Sequence, residues 1–190
     1  PWDHAAVAYL LVSALYRWGW NGPPSRRLGV AVVVAGVLPD LIDKPLSWGL
    51  GVLPTGRSLG HSLLVATPSL ALLLALGVAF GRGRAAVAFA LAYLSHLAGD
   101  VAYPLFVDGD LRVEFLLWPL IPAASSDAGV GVSHIAELVA EFLTLLASPA
   151  GLLYLAVDAL LLGTAAVVWW LDWRAGGERP SDGAALASDE

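Results

Sequence analysis

Residues 92–103 read AYLSHLAGDVAY and set His96 and Asp100 four positions apart within an apolar run over 85–106. On a helix, that spacing puts both side chains on one face, one turn apart. An imidazole and a carboxylate so placed can hold one cation together. They can equally form a buried hydrogen bond that only joins helices. The choice depends on three other stretches with the same residue types, each at the end of an apolar segment. These are His4, then Pro39-Asp40-Leu41-Ile42-Asp43, then Arg57-Ser58-Leu59-Gly60-His61-Ser62.

Composition sets the class. The 190 residues suffice for one domain; 58% are hydrophobic and only 14% charged. Mean hydropathy is +0.73. That apolar share exceeds the roughly 45–50% of soluble domains and indicates an integral membrane protein. Cysteine is absent, so a metal site here must use His and carboxylates, which favours zinc, manganese or iron over copper(I). The net charge is −6 and Lys44 is the sole lysine. No basic stripe exists to neutralise phosphates along a polymer, so nucleic acid is not an expected partner. No basic stretch precedes the first apolar segment, so a cleaved leader is not expected.

Apolar segments at 5–20, 28–41, 62–80, 85–106 and 151–170 read as five crossings, though 28–41 is short for a core that takes about 20 residues. Tryptophans at 2, 18 and 20, and again at 169, 170 and 173, stand where interface aromatics stand. Pro68 lies early in the third segment and can kink it near His61. Residues 44–60 and 107–131 read as connections, and 111–121 as a piece packed on the bundle. Residues 133–146 read as an interfacial helix with His134, Glu137 and Glu141 on one face. Residues 1–173 form one helical domain, and 174–190 an acidic, disordered tail. The expected fold is therefore all-α: a polytopic membrane helix bundle of about five spans plus an interfacial helix.

With five crossings, Arg17, Arg26, Arg27, Arg82, Arg84, Arg174 and Arg179 fall on one side, the cytoplasmic one by the positive-inside rule. His4, Asp40, Asp43, Arg57, His61, His96, Asp100 and His134 then collect at the outer end. Ionisable groups in membrane spans cost about 2.5–3.5 kcal/mol each at mid-helix on insertion scales, and a shared cation gives them a reason to gather. His4, Asp40, His61, His96 and Asp100 are the candidate ligands. Asp43 is a candidate base or ligand. Arg57 is a candidate clamp for an anionic group such as phosphate. Asp158, alone in the last segment, reads as a helix–helix hydrogen bond or a partner of the ligands.

At these residues the chain resembles the membrane-bound metal-dependent hydrolases, the YdjM-like inner-membrane proteins. The resemblance rests on the early His4, the Pro-Asp-x-x-Asp stretch at 39–43, Arg-x-x-x-His-Ser at 57–62 and Ser-His-x-x-x-Asp at 95–100. It covers roughly residues 2–118. Where the family pattern commonly has Thr before the His-Ser pair, this chain has Gly60. The His-x-x-x-Asp step is also similar to one in zinc-dependent phospholipase C. The resemblance implies a hydrolase, a bound metal and a membrane location. The expectation is a multi-pass inner or plasma membrane protein with its site toward the outer face. There it would bind a divalent ion, zinc foremost, and act on a phosphoester or lipid head group among the membrane lipids. The competing expectations are a non-catalytic metal-binding or structural membrane protein and, last, a transporter, for which no pair of related halves is visible.

Overall fold

The computed structural model describes residues 2–122 and 131–176. Among these the chain is all-helical, without strands: α1 (Trp2–Gly19), α2 (Arg26–Lys44), α3 (Leu63–Ala79), α4 (Gly83–Asp108), α5 (Gly131–Leu146) and α6 (Pro149–Gly176). A helix stands at every segment where the apolar pattern predicts one. α4 and α6 carry stretches long and apolar enough to cross a membrane, Gly83–Leu105 and Gly151–Ala175; Leu63–Ala79 is apolar but shorter. The helices' length and apolarity alone therefore do not establish five crossings. α1 and α2 are long enough at 18 and 19 residues but bear Asp3, His4 and Arg17, or Arg26, Arg27, Asp40, Asp43 and Lys44.

α1, α2 and α4 form the centre. Ala8, Tyr9 and Val12 pack on Val32 and Ala35 and on Ala88 and Ala92. Small residues let these helices approach closely, as is usual in membrane bundles. At the tightest crossing, a Cβ added to Gly36 would stand 2.6 Å from the Ala8 Cβ. Gly36→Ala is therefore expected to destabilise the protein by about 1–3 kcal/mol through overpacking, read as a lower melting temperature by circular dichroism. An unchanged transition would mean that α1 can slide along α2.

α6 runs parallel to α1. At one end the Trp2 indole donates to Asp158 (2.8 Å) and the Tyr154 hydroxyl to Asp3 (3.3 Å). At the other, Asp172 is buried and accepts from Tyr9, Ser13 and Arg17. Arg26 stacks on Trp173 and Arg84 on Trp20 at that same end. The bundle thus has a basic, Trp-lined end and an opposite end holding His4, the close of α2, the approach to α3 and the second half of α4. α5 lies across that second end: the His134 ring meets Trp48 near its start, and Phe142 meets Tyr154 near its finish. Only 11% of the apolar stretch of α6 is buried, with Leu152, Leu153, Leu160 and Val167 exposed.

Boundaries differ from the sequence reading at the end of α2 and at the end of α6. α2 continues through Pro39 to Lys44 and passes into a π-helical turn, Pro45–Gly49, so the connection expected over 44–60 starts late. Pro39 lacks the N–H of a regular turn, yet α2 tolerates it beside α1, α4 and the 55–62 loop. α6 extends through 174–176, so the disordered tail expected from residue 174 does not begin there; residues 177–190 lie outside the described ones, as does 123–130 of the connection expected over 107–131.

Candidate metal centre

Four segments meet at the α5 end. α1 supplies His4 from its first turn. α2 supplies Asp40 and Asp43, three apart and so on adjoining faces. The loop before α3 supplies Arg57 and His61, and α4 supplies His96 and Asp100. His61, His96 and Asp43 are fully buried; Asp40 and Asp100 are nearly so.

Asp43 holds the loop. Its carboxylate accepts from the backbone N–H of Ser58 (2.7 Å), Gly60 (2.8 Å) and His61 (3.2 Å), and from His61 Nδ1 (2.8 Å). The loop lies tight on α2: a Cβ at Gly60 would stand 3.0 Å from the Pro39 carbonyl oxygen and 3.4 Å from Asp43 Oδ1. Glycine is the residue that fits there without displacing a neighbour. Tyr93 of α4 donates to the Gly60 carbonyl, and Ser62 caps α3 at Leu64 N.

The partners of the two buried imidazoles settle their tautomers. His96 Nδ1 lies 2.8 Å from the Gly36 carbonyl oxygen, which can only accept. His61 Nδ1 faces the Asp43 carboxylate. Each Nδ1 therefore donates, and in the neutral ring each Nε2 presents its lone pair. These two Nε2 atoms stand 3.1 Å apart. Two lone pairs do not face each other at that distance unless a proton or a cation lies between them.

Carboxylate oxygens complete the surround. Asp40 Oδ1 is 3.6 Å from His61 Nε2 and 3.8 Å from His96 Nε2. Asp100 Oδ2 is 3.2 Å and 3.9 Å from the same atoms. Donors at about 2.1 Å from a tetrahedral ion are separated by about 3.4 Å, and the five spacings, 3.1 to 3.9 Å, bracket that value. His4 Nε2 approaches Asp100 Oδ1 at 3.2 Å, and its ring packs on His96 with centroids 4.1 Å apart. His4 Nε2 and Asp100 Oδ2 are buried without hydrogen-bond alignment to any described group. Two sets of three, Asp40–His61–His96 and His4–His96–Asp100, can each gather one donor atom per residue about a common ion. The donor set of imidazoles and carboxylates suits zinc or manganese.

Burial opposes a charged His61, but the Asp100 and Asp43 carboxylates more than offset it and raise its pKa above the ordinary histidine value.

Arg57 reaches the centre from the side, with Nε 3.1 Å from Asp100 Oδ2 and its guanidinium over the Phe115 ring. A cavity of about 440 Å³ opens in front of Asp40, Asp100, His4 and Arg57, walled by Trp48, Phe142 and Tyr154 among others. Asp43 does not line it and faces the far edge of His61. Lys44 does, bound to Asp40 Oδ2 at 2.6 Å. Of the other candidates, His134 covers Trp48, while Glu137 and Glu141 point outward and are exposed. Asp158 takes its hydrogen bond from Trp2.

Sequence reasoning missed Lys44, Tyr93, Gly99 and Phe115. Lys44 had a visible signal, as the sole lysine one turn after Asp40. Gly99 had none in isolation: it leaves room for His4, whose Nε2 would lie 3.0 Å from a Cβ there. Phe115 lies in a short 3₁₀ turn, Glu114–Leu117, and packs edge-on to His61.

A family model described as YdjM inner membrane protein matches residues 1–175. No curated protein and no solved structure matches the chain.

Proposed function

The chain belongs to the YdjM inner membrane protein family, and we propose that it is a multi-pass membrane protein whose His/Asp centre binds one divalent ion, zinc foremost, and hydrolyses a phosphoester. The observation that carries the reading is the pair of facing Nε2 atoms, 3.1 Å apart, with both Nδ1 atoms already committed. His61, His96 and Asp40 hold the ion. Three protein donors leave a tetrahedral ion one free position, the arrangement of catalytic rather than structural sites.

A divalent ion there supplies a water acidic enough to lose its proton near neutral pH. Asp100 Oδ2 would be the nearest remaining carboxylate oxygen to take that proton, with His4 and Arg57 fixing its orientation. Asp43 acts through His61, holding the ring so that Nε2 faces the ion, and not as the base. Arg57 has donors to spare beyond Nε and binds the phosphate oxygens from the cavity side. A second reading, a non-catalytic metal centre, is favoured by one fact: Asp100 Oδ2 is near enough to be a fourth ligand and close the shell.

The experiment is turnover of p-nitrophenyl phosphate and its bis ester by purified, zinc-loaded protein. The hydrolase reading expects turnover that Arg57→Ala lowers while the zinc stays bound. Full zinc occupancy with no turnover of either ester would select the non-catalytic reading.

Five crossings, with the centre toward the outer face, make the best account of the arginines. α1 and α6 start at the same end, and α5 lies across it, an arrangement that supports an odd count. The absence of native cysteine allows a direct check. Cysteines placed singly at Leu50, Gly83 and Ala175 are exposed to a membrane-impermeant maleimide on intact cells. Labelling is expected at Leu50→Cys alone. Labelling at Gly83→Cys instead would put the centre in the cytoplasm.

A further inference from the structure

The cavity before the centre does not end at Trp48. A second, apolar groove of about 480 Å³ runs outside it along Val37, Leu41 and Ile135, and both share Asp40, Lys44 and Trp48 as walls. Leu41 and Ile135 are 57% and 43% exposed, so the groove opens sideways between α2 and α5, not along the bundle axis. In a membrane protein such a face meets acyl chains.

Charge identifies what the two spaces hold together. Asp40 and Asp100 balance one divalent ion. Lys44, paired with Asp40, and Arg57, paired with Asp100, are then the two cations of a wall that also holds the Asp3 carboxyl, and Lys44 stands at the junction of cavity and groove. A phosphomonoester carries about −1.5 to −2 charges near neutral pH and matches them. Lys44, the sole lysine, lies at the end opposite the arginine-rich one, bound to Asp40 and over the Trp48 ring.

Resting on the hydrolase reading above, we propose that the substrate is a membrane lipid with a phosphomonoester head. It enters sideways between α2 and α5, with its acyl chain along Val37, Leu41 and Ile135 and its phosphate between Lys44 and Arg57. Binding needs no reaction step, so it is tested apart from turnover. The full chain is placed in phosphatidylcholine nanodiscs doped with phosphatidic acid that carries a diazirine in its acyl chain, and cross-links are mapped by peptide mass spectrometry.

Labels are expected on Val37, Leu41 or Ile135. Lys44→Ala and Arg57→Ala should each lower the yield roughly tenfold, as loss of one charge-assisted phosphate contact does. Leu41→Trp, an exchange at an exposed position, should fill the groove and abolish the labelling there. Labels spread over Leu72, Leu152 and Leu160 with none in the groove would overturn the proposal. Equal groove labelling by a diazirine diacylglycerol, which lacks the phosphate, would overturn it as well. Groove labelling without turnover of any ester would defeat the hydrolase reading and keep the lipid site. Turnover of soluble esters without groove labelling would do the reverse.

Discussion

His96→Ala is expected to purify in normal amount and to hold zinc more than about 100-fold more weakly than the parent protein. Outer partners of metal ligands already cost about 10–100-fold when removed, and His96 Nε2 is common to both donor sets. Insertion should survive, because α4 becomes more apolar without the imidazole. His61→Ala should behave alike through the other Nε2. Zinc per protein chain after dialysis, measured by inductively coupled plasma mass spectrometry, is the readout. Unchanged stoichiometry in His96→Ala would remove that residue from the ligand set. A variant that fails to insert would show instead that His96 serves packing, through its bond to the Gly36 carbonyl.

Asp43→Ala is expected to have the largest effect on stability. The carboxylate is fully buried and satisfies three backbone N–H groups and the His61 ring. Removing one partner of such a buried charged network costs about 3–5 kcal/mol. The loss should be local at first. Amide hydrogen exchange at Ser58, Gly60 and His61 should accelerate while α1 and α6 stay protected, and zinc affinity should fall with it, since His61 loses its orienting partner. Asp43→Asn retains an acceptor and should recover part of the protection. Protected loop amides in Asp43→Ala would show that the loop is held by its contacts with Trp48 and Tyr93 instead.

The helices and the centre were legible for different reasons. Each apolar segment announces itself by composition, so all six helices lie where the pattern predicts. His96 and Asp100 could be paired because i,i+4 spacing on a helix is a geometric statement. His4 and His61 could only be grouped with them by level in the proposed topology. What the sequence could not convey is direction. Asp40 and Asp43 look equivalent as Pro-Asp-x-x-Asp, yet three positions on a helix turn them some 60° apart. One faces the cavity, and the other faces the loop. The second apolar segment reads as ending near residue 41, whereas α2 runs through Pro39 to Lys44. Asp172 lies more than 150 positions from Tyr9, Ser13 and Arg17, and no local pattern links it to them. The groove along Val37, Leu41 and Ile135 could not be foreseen because it exists only where α5 meets the end of α2.

The central claim is that His61 Nε2, His96 Nε2 and Asp40 surround one cation. X-ray absorption at the zinc edge on purified, zinc-loaded protein tests it most directly. The account predicts a single tetrahedral zinc with two imidazole nitrogens at about 2.0–2.1 Å and oxygen in the remaining positions. A zinc shell without imidazole, or protein that retains no zinc at all, would contradict it and leave a shared proton between the two histidines.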